Sequence, residues 1–366
     1  MGRRCPQLLP LPLQLACRNA TLNHMNNPRL IFSSDSRLTG QDPRMLAKLC
    51  QQGKLTRIRQ GVYLPTNEWA QLGEREQYGC NAEAFQHLAA EEPVFCYATA
   101  ALLWGLWIIG TPSFVHVRTE VRNGGRGGNG VKRRLGAPTD AVVRCGRLLV
   151  TDKLTTTIQL IQRLAFQYAV AVCDSSLRWM DPRGQVNQFA AVGASMVMTA
   201  ASEAAWRTDC PQGRPVTKED LVEAALRLPS RAARDRTLAV IAFASPLSGS
   251  PGESISRAKM HLLGFPAPVL QKEFKVRNRK SALVDFWFED LNLVGEFDGR
   301  EKYLRSNWGG GLPIEERVMR EKAREDDIRR QGAGFVRWIW RELNDTAQFE
   351  QLLRQAGLPQ SRRKQK

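Results

Sequence analysis

Residues 283–302, Leu-Val-Asp-Phe-Trp-Phe-Glu-Asp-Leu-Asn-Leu-Val-Gly-Glu-Phe-Asp-Gly-Arg-Glu-Lys, constrain the fold more than any other stretch of the chain. Two apolar runs rich in β-branched and aromatic residues flank a polar break at Glu289 to Asn292, the pattern of an antiparallel hairpin. Three acids interrupt the runs: Asp285, Glu296 and Asp298. Glu296 and Asp298 stand two apart on a strand and share a face. With Asp290 and Leu291 as the loop, Asp285 falls opposite Glu296; a slip of one residue would turn it to the other face. Carboxylates facing each other across strands repel. A positive charge is therefore expected among them, either a lysine or a divalent cation held by oxygen ligands.

The flanking residues complete a small α/β unit. Ser250 at N-cap, Pro251 at N1 and Glu253 at N3 predict a helix that ends at Gly264. The capping box explains Glu253 fully, and a carboxylate at that helix start could also face the acidic hairpin and join a metal site. A strand over 269–276, a basic turn, the hairpin, a charged helix over 314–331 and a strand over 335–340 follow. The order helix, strand, strand, strand, helix, strand makes a compact α/β core. Two readings of its acids stand side by side: a metal cluster, or an acidic edge ion-paired with Arg300, Arg324 and Arg329.

Charge bears on the partner. Lys plus Arg outnumber Asp plus Glu by 53 to 36, a formal charge of +17 with a pI near 9.9. Such an excess favours a polyanion, most simply nucleic acid, and also permits an anionic membrane surface. No apolar run approaches the ~20 residues that span a bilayer. The eight cysteines form no Cys-x-x-Cys pair and the four histidines are scattered, so neither zinc nor a disulfide framework is indicated, and a reducing cytoplasm is expected. Residues 1–28 read as a disordered leader, with Met25 an alternative start.

Residues 29–68 have the outline of a winged helix-turn-helix. A helix over 43–51 with Pro43 in its first turn and Gly53 as its stop is followed by an alternating run, 55–64, that turns at Gly61. Arg44, Lys48, Lys54, Arg57 and Arg59 would contact phosphates; a solvated basic face on a capping domain is the other reading. Residues 69–248 form a mixed α/β middle region, with helices expected over 74–90, 97–106, 154–172 and 189–206, strands over 113–118 and 142–150, and an Arg-rich helical stretch over 221–243. The glycine-rich loop 122–134 lacks the Gly-Lys-Ser/Thr end of a phosphate loop. It reads as a basic loop that either touches a nucleic-acid backbone or is a solvated insertion. Ser245-Pro-Leu-Ser-Gly-Ser-Pro-Gly252 marks a boundary.

Two resemblances follow from these residues. Residues 52–63, Gln-Gly-Lys-Leu-Thr-Arg-Ile-Arg-Gln-Gly-Val-Tyr, resemble the winged-helix segment of the AbiEi-type abortive-infection antitoxin family, which implies promoter DNA binding and repression. Residues 251–343 resemble the PD-(D/E)XK nuclease superfamily in its DUF559 or very-short-patch-repair-like branch. That resemblance rests on Glu253-Ser254, Val284-Asp285-Phe286, Gly295-Glu296-Phe297-Asp298-Gly299, Lys302-Tyr303, Glu321 to Glu325 and Gly334 to Arg337 leading to Trp340. It implies Mg²⁺- or Mn²⁺-dependent phosphodiester cleavage, with Asp285 and Glu296 on the metal, Asp298 beside them and Glu253 assisting. Asp298 stands where the acid-x-lysine pattern has its lysine, which leaves Lys302 first and Lys322 second to orient the attacking water.

The expected architecture is thus α+β and multidomain: a winged helix, a middle region, a restriction-endonuclease-like core over 249–346 and a basic tail over 347–366. The expected function is a cytoplasmic, DNA-binding, metal-dependent endonuclease of phage defence or a toxin–antitoxin-type system, acting on double-stranded DNA with no membrane partner, and compatible with a homodimer. The alternative is a non-catalytic repressor or antitoxin whose nuclease domain is degenerate.

Overall fold

The computed structural model describes residues 30–34, 43–121, 128, 130–137, 140–145, 147–178, 206, 211–277, 280–299 and 314–361. The leader, most of the helix expected over 189–206, and Arg300 and Lys302 lie outside these residues. The chain is mixed α/β, with three sheets among the described residues. No described helix is long and apolar enough to cross a membrane. It divides into two compact units, residues 1–88 and 89–366.

In the first unit, β1 (Ile31–Phe32), α1 (Pro43–Gln51), β2 (Leu55–Arg59) and β3 (Val62–Pro65) precede α2 (Thr66–Gln71) and α3 (Glu74–Leu88). The sheet order is β1-β3-β2, antiparallel throughout. Leu46 and Leu49 of α1 bury against Leu55 and Tyr63, so helix and hairpin share one small core. Gly61 turns the hairpin at a φ of 76°, a left-handed conformation that costs a glycine nothing. Ser33 and Ser34 are helical, and residues 35–42, where the first helix of the expected helix-turn-helix falls, lie outside the described residues.

The second unit begins with β4 (Val94–Phe95), α4 (Tyr97–Leu103), β5 (Val115–Thr119), β6 (Val131–Leu135), β7 (Val142–Cys145) and β8 (Leu148–Thr151), in the sheet order β6-β5-β4-β8-β7. Helices α5 (Lys153–Ile161), α6 (Phe166–Ser176), α7 (Lys218–Leu226) and α8 (Arg231–Phe243) follow. Three elements expected as single pieces are pairs. The strand over 142–150 is a hairpin, the helix over 154–172 breaks before Phe166, and the Arg-rich stretch breaks at Pro229, where Ser230 caps α8 by accepting from Ala233 N.

The C-terminal core has α9 (Pro251–Leu263), β9 (Val269–Val276), β10 (Lys280–Phe288), β11 (Leu293–Phe297), α10 (Ile314–Arg329), β12 (Gly334–Trp338), α11 (Trp340–Asn344) and α12 (Thr346–Gln355). Its sheet runs β12-β11-β10-β9, with β12 parallel to β11 and the rest antiparallel. Phe286, Phe288, Leu293, Phe297 and Trp338 pack with Ile255 and Met260 of α9 on one face. Ala282, Val284, Trp287, Val294 and Phe274 pack with Ile328 of α10 on the other. The Ser/Pro/Gly-rich stretch read as a boundary joins two parts of one unit: Tyr168 and Ala171 of α6 belong to the α9-side core.

Candidate functional site

The hairpin register is the expected one. Phe286 pairs with Gly295 and Phe288 with Leu293, around a 3₁₀ turn at Glu289–Leu291. One step further, Asp285 comes level with Glu296, and its Oδ2 accepts the backbone N–H of Phe297 at 3.0 Å. At this point the pleat changes hands. Val284 and Phe286, two apart on β10, face opposite helices; so do Leu270 and Phe274 on β9. Residues two or four apart on a regular strand share a face, so each strand has one irregular position. The β9–β10 register sets these positions, Gln271 and Asp285, opposite each other. Gln271 adopts a φ of 52°, left-handed for a residue with a side chain.

Gln271 also reaches the helix. Its Nε2 donates to Glu253 Oε2 at 3.2 Å. Glu253 is buried in the first turn of α9, where its N–H donates to Ser250 Oγ (3.2 Å), Ser250 Oγ donates to its Oε1 (2.9 Å) and Gly249 N donates to its Oε2 (2.6 Å). Half of the expected capping box is present: Ser250 Oγ takes the Glu253 N–H, but the carboxylate accepts from Gly249 N and Ser250 Oγ instead of the Ser250 backbone N–H. Gln271 thus links Glu253 of the helix to the strand position level with Asp285. Gln271 was missed in the sequence, where it reads as an ordinary strand residue.

Glu296 has another fate. Gly295 lies against Trp338 and Phe286, and Phe297 packs in the α9-side core, so Glu296 between them faces α10. There its Oε1 accepts from Arg324 Nη2 (2.8 Å) and its Oε2 from Arg337 Nε (3.0 Å) and Nη2 (2.8 Å). Arg337 is its register partner on β12. Arg324 also bonds Glu321, and Arg337 bonds Glu321 and Glu325, which closes a five-residue network. Burial works against both guanidinium charges, but Glu296, joined by Glu321 at Arg324 and by Glu325 and Glu321 at Arg337, outweighs it and holds both more firmly protonated than usual. The positive charge expected beside the acids is therefore supplied by arginine. Of the three arginines named for that role, Arg324 fills it and Arg329 bonds Glu325 instead. Glu296, expected on the metal with Asp285 and Asp298 while Glu253 assisted, has its carboxylate on the α10 side of the sheet, away from α9.

Asp298 continues the β11–β12 pairing, its N–H donating to Trp338 O at 2.9 Å. Lys322 is exposed on α10. Among the described residues no group of three or more His, Cys, Asp and Glu side chains stands together to hold a metal.

A buried ion pair fixes α9 and hence Glu253. Asp174 of α6, fully buried, accepts from Arg257 Nη2 (2.8 Å), Ser254 Oγ (2.7 Å) and Ser245 N (2.7 Å). Burial pushes its carboxyl up and Arg257 pulls it back, with a net rise. Arg178 Nη1 holds the loop before α9 by donating to Pro246 O (3.1 Å) and to Ser248 O. Nothing in the spacing of these residues announces contacts across some eighty positions.

In the first unit, Arg44, Lys48, Lys54 and Arg57 are exposed, and Arg44 and Lys48 are neighbours on α1 at i, i+4. Arg59 is half-buried: its Nε donates to Asn81 O at 2.9 Å and its guanidinium lies over Phe85, so it ties the hairpin to α3. Burial lowers its pKa. Comparison of the chain with protein-family models and with curated proteins finds no match.

Proposed function

We propose that the chain is a DNA-binding protein whose C-terminal core hydrolyses phosphodiesters with Mg²⁺ or Mn²⁺, as its resemblance to the nuclease superfamily implies. One observation carries the reading: Gln271, bonded to the buried Glu253 and level with Asp285 in the β9–β10 register, has a left-handed backbone, a strain held in place by the fold. Strain of about 1–3 kcal/mol kept at a polar cluster is a mark of a functional site. Oxygen donors from two carboxylates and an amide suit a hard divalent cation, and Mg²⁺ keeps several waters while taking one or two carboxylates from protein. Glu253 and Asp285 would hold it, and the cation would lower the pKa of a bound water and neutralise phosphate charge. Asp174 and Arg257 tie α9 to α6. Exposed Arg44, Lys48, Lys54 and Arg57 would draw duplex DNA to the first unit through its phosphates.

The second reading, a non-catalytic repressor or antitoxin, is favoured by a different observation: two guanidiniums already neutralise Glu296, and Asp298 occupies the usual lysine position. Incubating supercoiled plasmid with the purified chain and Mg²⁺ or Mn²⁺, beside Asp285→Ala, decides between them. Nicking or linearisation that Asp285→Ala loses by at least about 100-fold is expected for an enzyme using that carboxylate. Salt-sensitive DNA binding with no cleavage by the wild type would leave the repressor.

A further inference from the structure

The middle region carries a basic face of its own. Strands β5 and β6 are parallel, with His116 level with Lys132 and Arg118 with Arg134. Val115, Val117 and Val131 bury on one side, so His116, Arg118, Lys132 and Arg134 share the other. Contacts across that face agree: Arg134 Nε lies 3.4 Å from His116 Nδ1, and Lys132 Nζ sits 5.8 Å from the ring centre of exposed Phe114. Two guanidiniums converge on Tyr97, Arg134 at 5.0 Å and Arg163 at 5.5 Å from its ring centre. Tyr97 itself is held at a φ of 49°, left-handed for an aromatic residue.

The cations outnumber the acids near them. Among the described residues no carboxylate pairs with Lys132, Arg134 or Arg163. Arg118 reaches Glu120 only at 3.5 Å, and its buried Nε has no partner among the described residues. Asp140 is occupied, accepting from Ala137 N and Gln159 Nε2. His116 is pushed down to about 4 by burial and by Arg134 and Lys132, so it is neutral at pH 7 and accepts from Arg134. A row of cations beside an exposed aromatic ring suits phosphates along a backbone and an unstacked base on the ring.

We propose that the β5–β6 face binds a single strand of nucleic acid, its phosphates against Lys132, Arg134 and Arg163 and a base on Phe114. Fluorescence anisotropy of labelled oligothymidylate against the full chain over a range of salt tests it. The Arg134→Ala/Arg163→Ala variant is expected to bind at least about tenfold more weakly, with a salt slope shallower by about 1.4, two phosphate contacts at about 0.7 each on a single strand. Phe114→Ala is expected to lose about tenfold with the slope unchanged. A Lys48→Ala/Arg57→Ala variant in the first unit should leave oligothymidylate binding intact while weakening duplex binding. Exposed Arg163→Glu alone keeps the test open should the double variant unfold, and wild-type affinity in that variant would overturn the proposal. So would a loss confined to duplex DNA.

Discussion

The two faces of the C-terminal sheet use the same residue type in opposite ways. On the α9 face Glu253 is met by neutral donors, a serine hydroxyl, a backbone N–H and the Gln271 amide, with Asp285 opposite that glutamine. On the α10 face Glu296 is met by two guanidiniums, themselves shared with Glu321 and Glu325. Glu253 is bonded by neutral donors and also acts on Arg178, whose pKa burial lowers and Glu253 partly restores; Glu296 is bonded directly by two guanidiniums. Acid content alone therefore does not place a metal site, and the surroundings of each acid do.

The comparison breaks most severely if the α9 face loses its support. Asp174→Ala leaves the Arg257 charge buried and unpaired, an expected cost of about 3–5 kcal/mol, to be read from denaturant unfolding. Gly252→Ala comes next. A Cβ there would stand 2.0 Å from Phe297 Cε1, so α9 must lift from β11, at about 1–3 kcal/mol on the same measurement. Glu296→Gln probes the other face. Its partners are a quarter to a third exposed, so screening keeps the loss near about 1–2 kcal/mol and makes it shrink in high salt. Gln271→Gly is expected to move stability least, by under about 1 kcal/mol, because relieved backbone strain offsets the lost amide bond. DNA cleavage should nevertheless fall in that variant.

Much of the local structure was legible. The hairpin register follows from the polar break at Glu289 to Asn292, and the start and stop of α9 from Ser250, Pro251 and Gly264, because each rests on neighbours in sequence. The site was only half legible. Alternation along a strand put Asp285 and Glu296 level, as the structure has them, but it presumes an unbroken pleat. The matched irregularity at Gln271 and Asp285 breaks it on two strands at once, and no periodicity reports such a change. The Arg337 partner arises from parallel pairing across a helical connection, and Asp174–Arg257 from packing of α6 on α9. Those contacts exist only once the chain is folded. Arg59 shows the same limit in small: its charge suggests phosphate, while its neighbours Asn81 and Phe85 make it a tie.

Mn²⁺ binding followed by electron paramagnetic resonance tests the difference between the faces most directly. The wild type should bind Mn²⁺, Asp285→Asn should lose at least about tenfold in affinity, and Glu296→Gln should stay within about twofold of wild type. Loss of Mn²⁺ affinity in Glu296→Gln, with Asp285→Asn unchanged, would contradict the account.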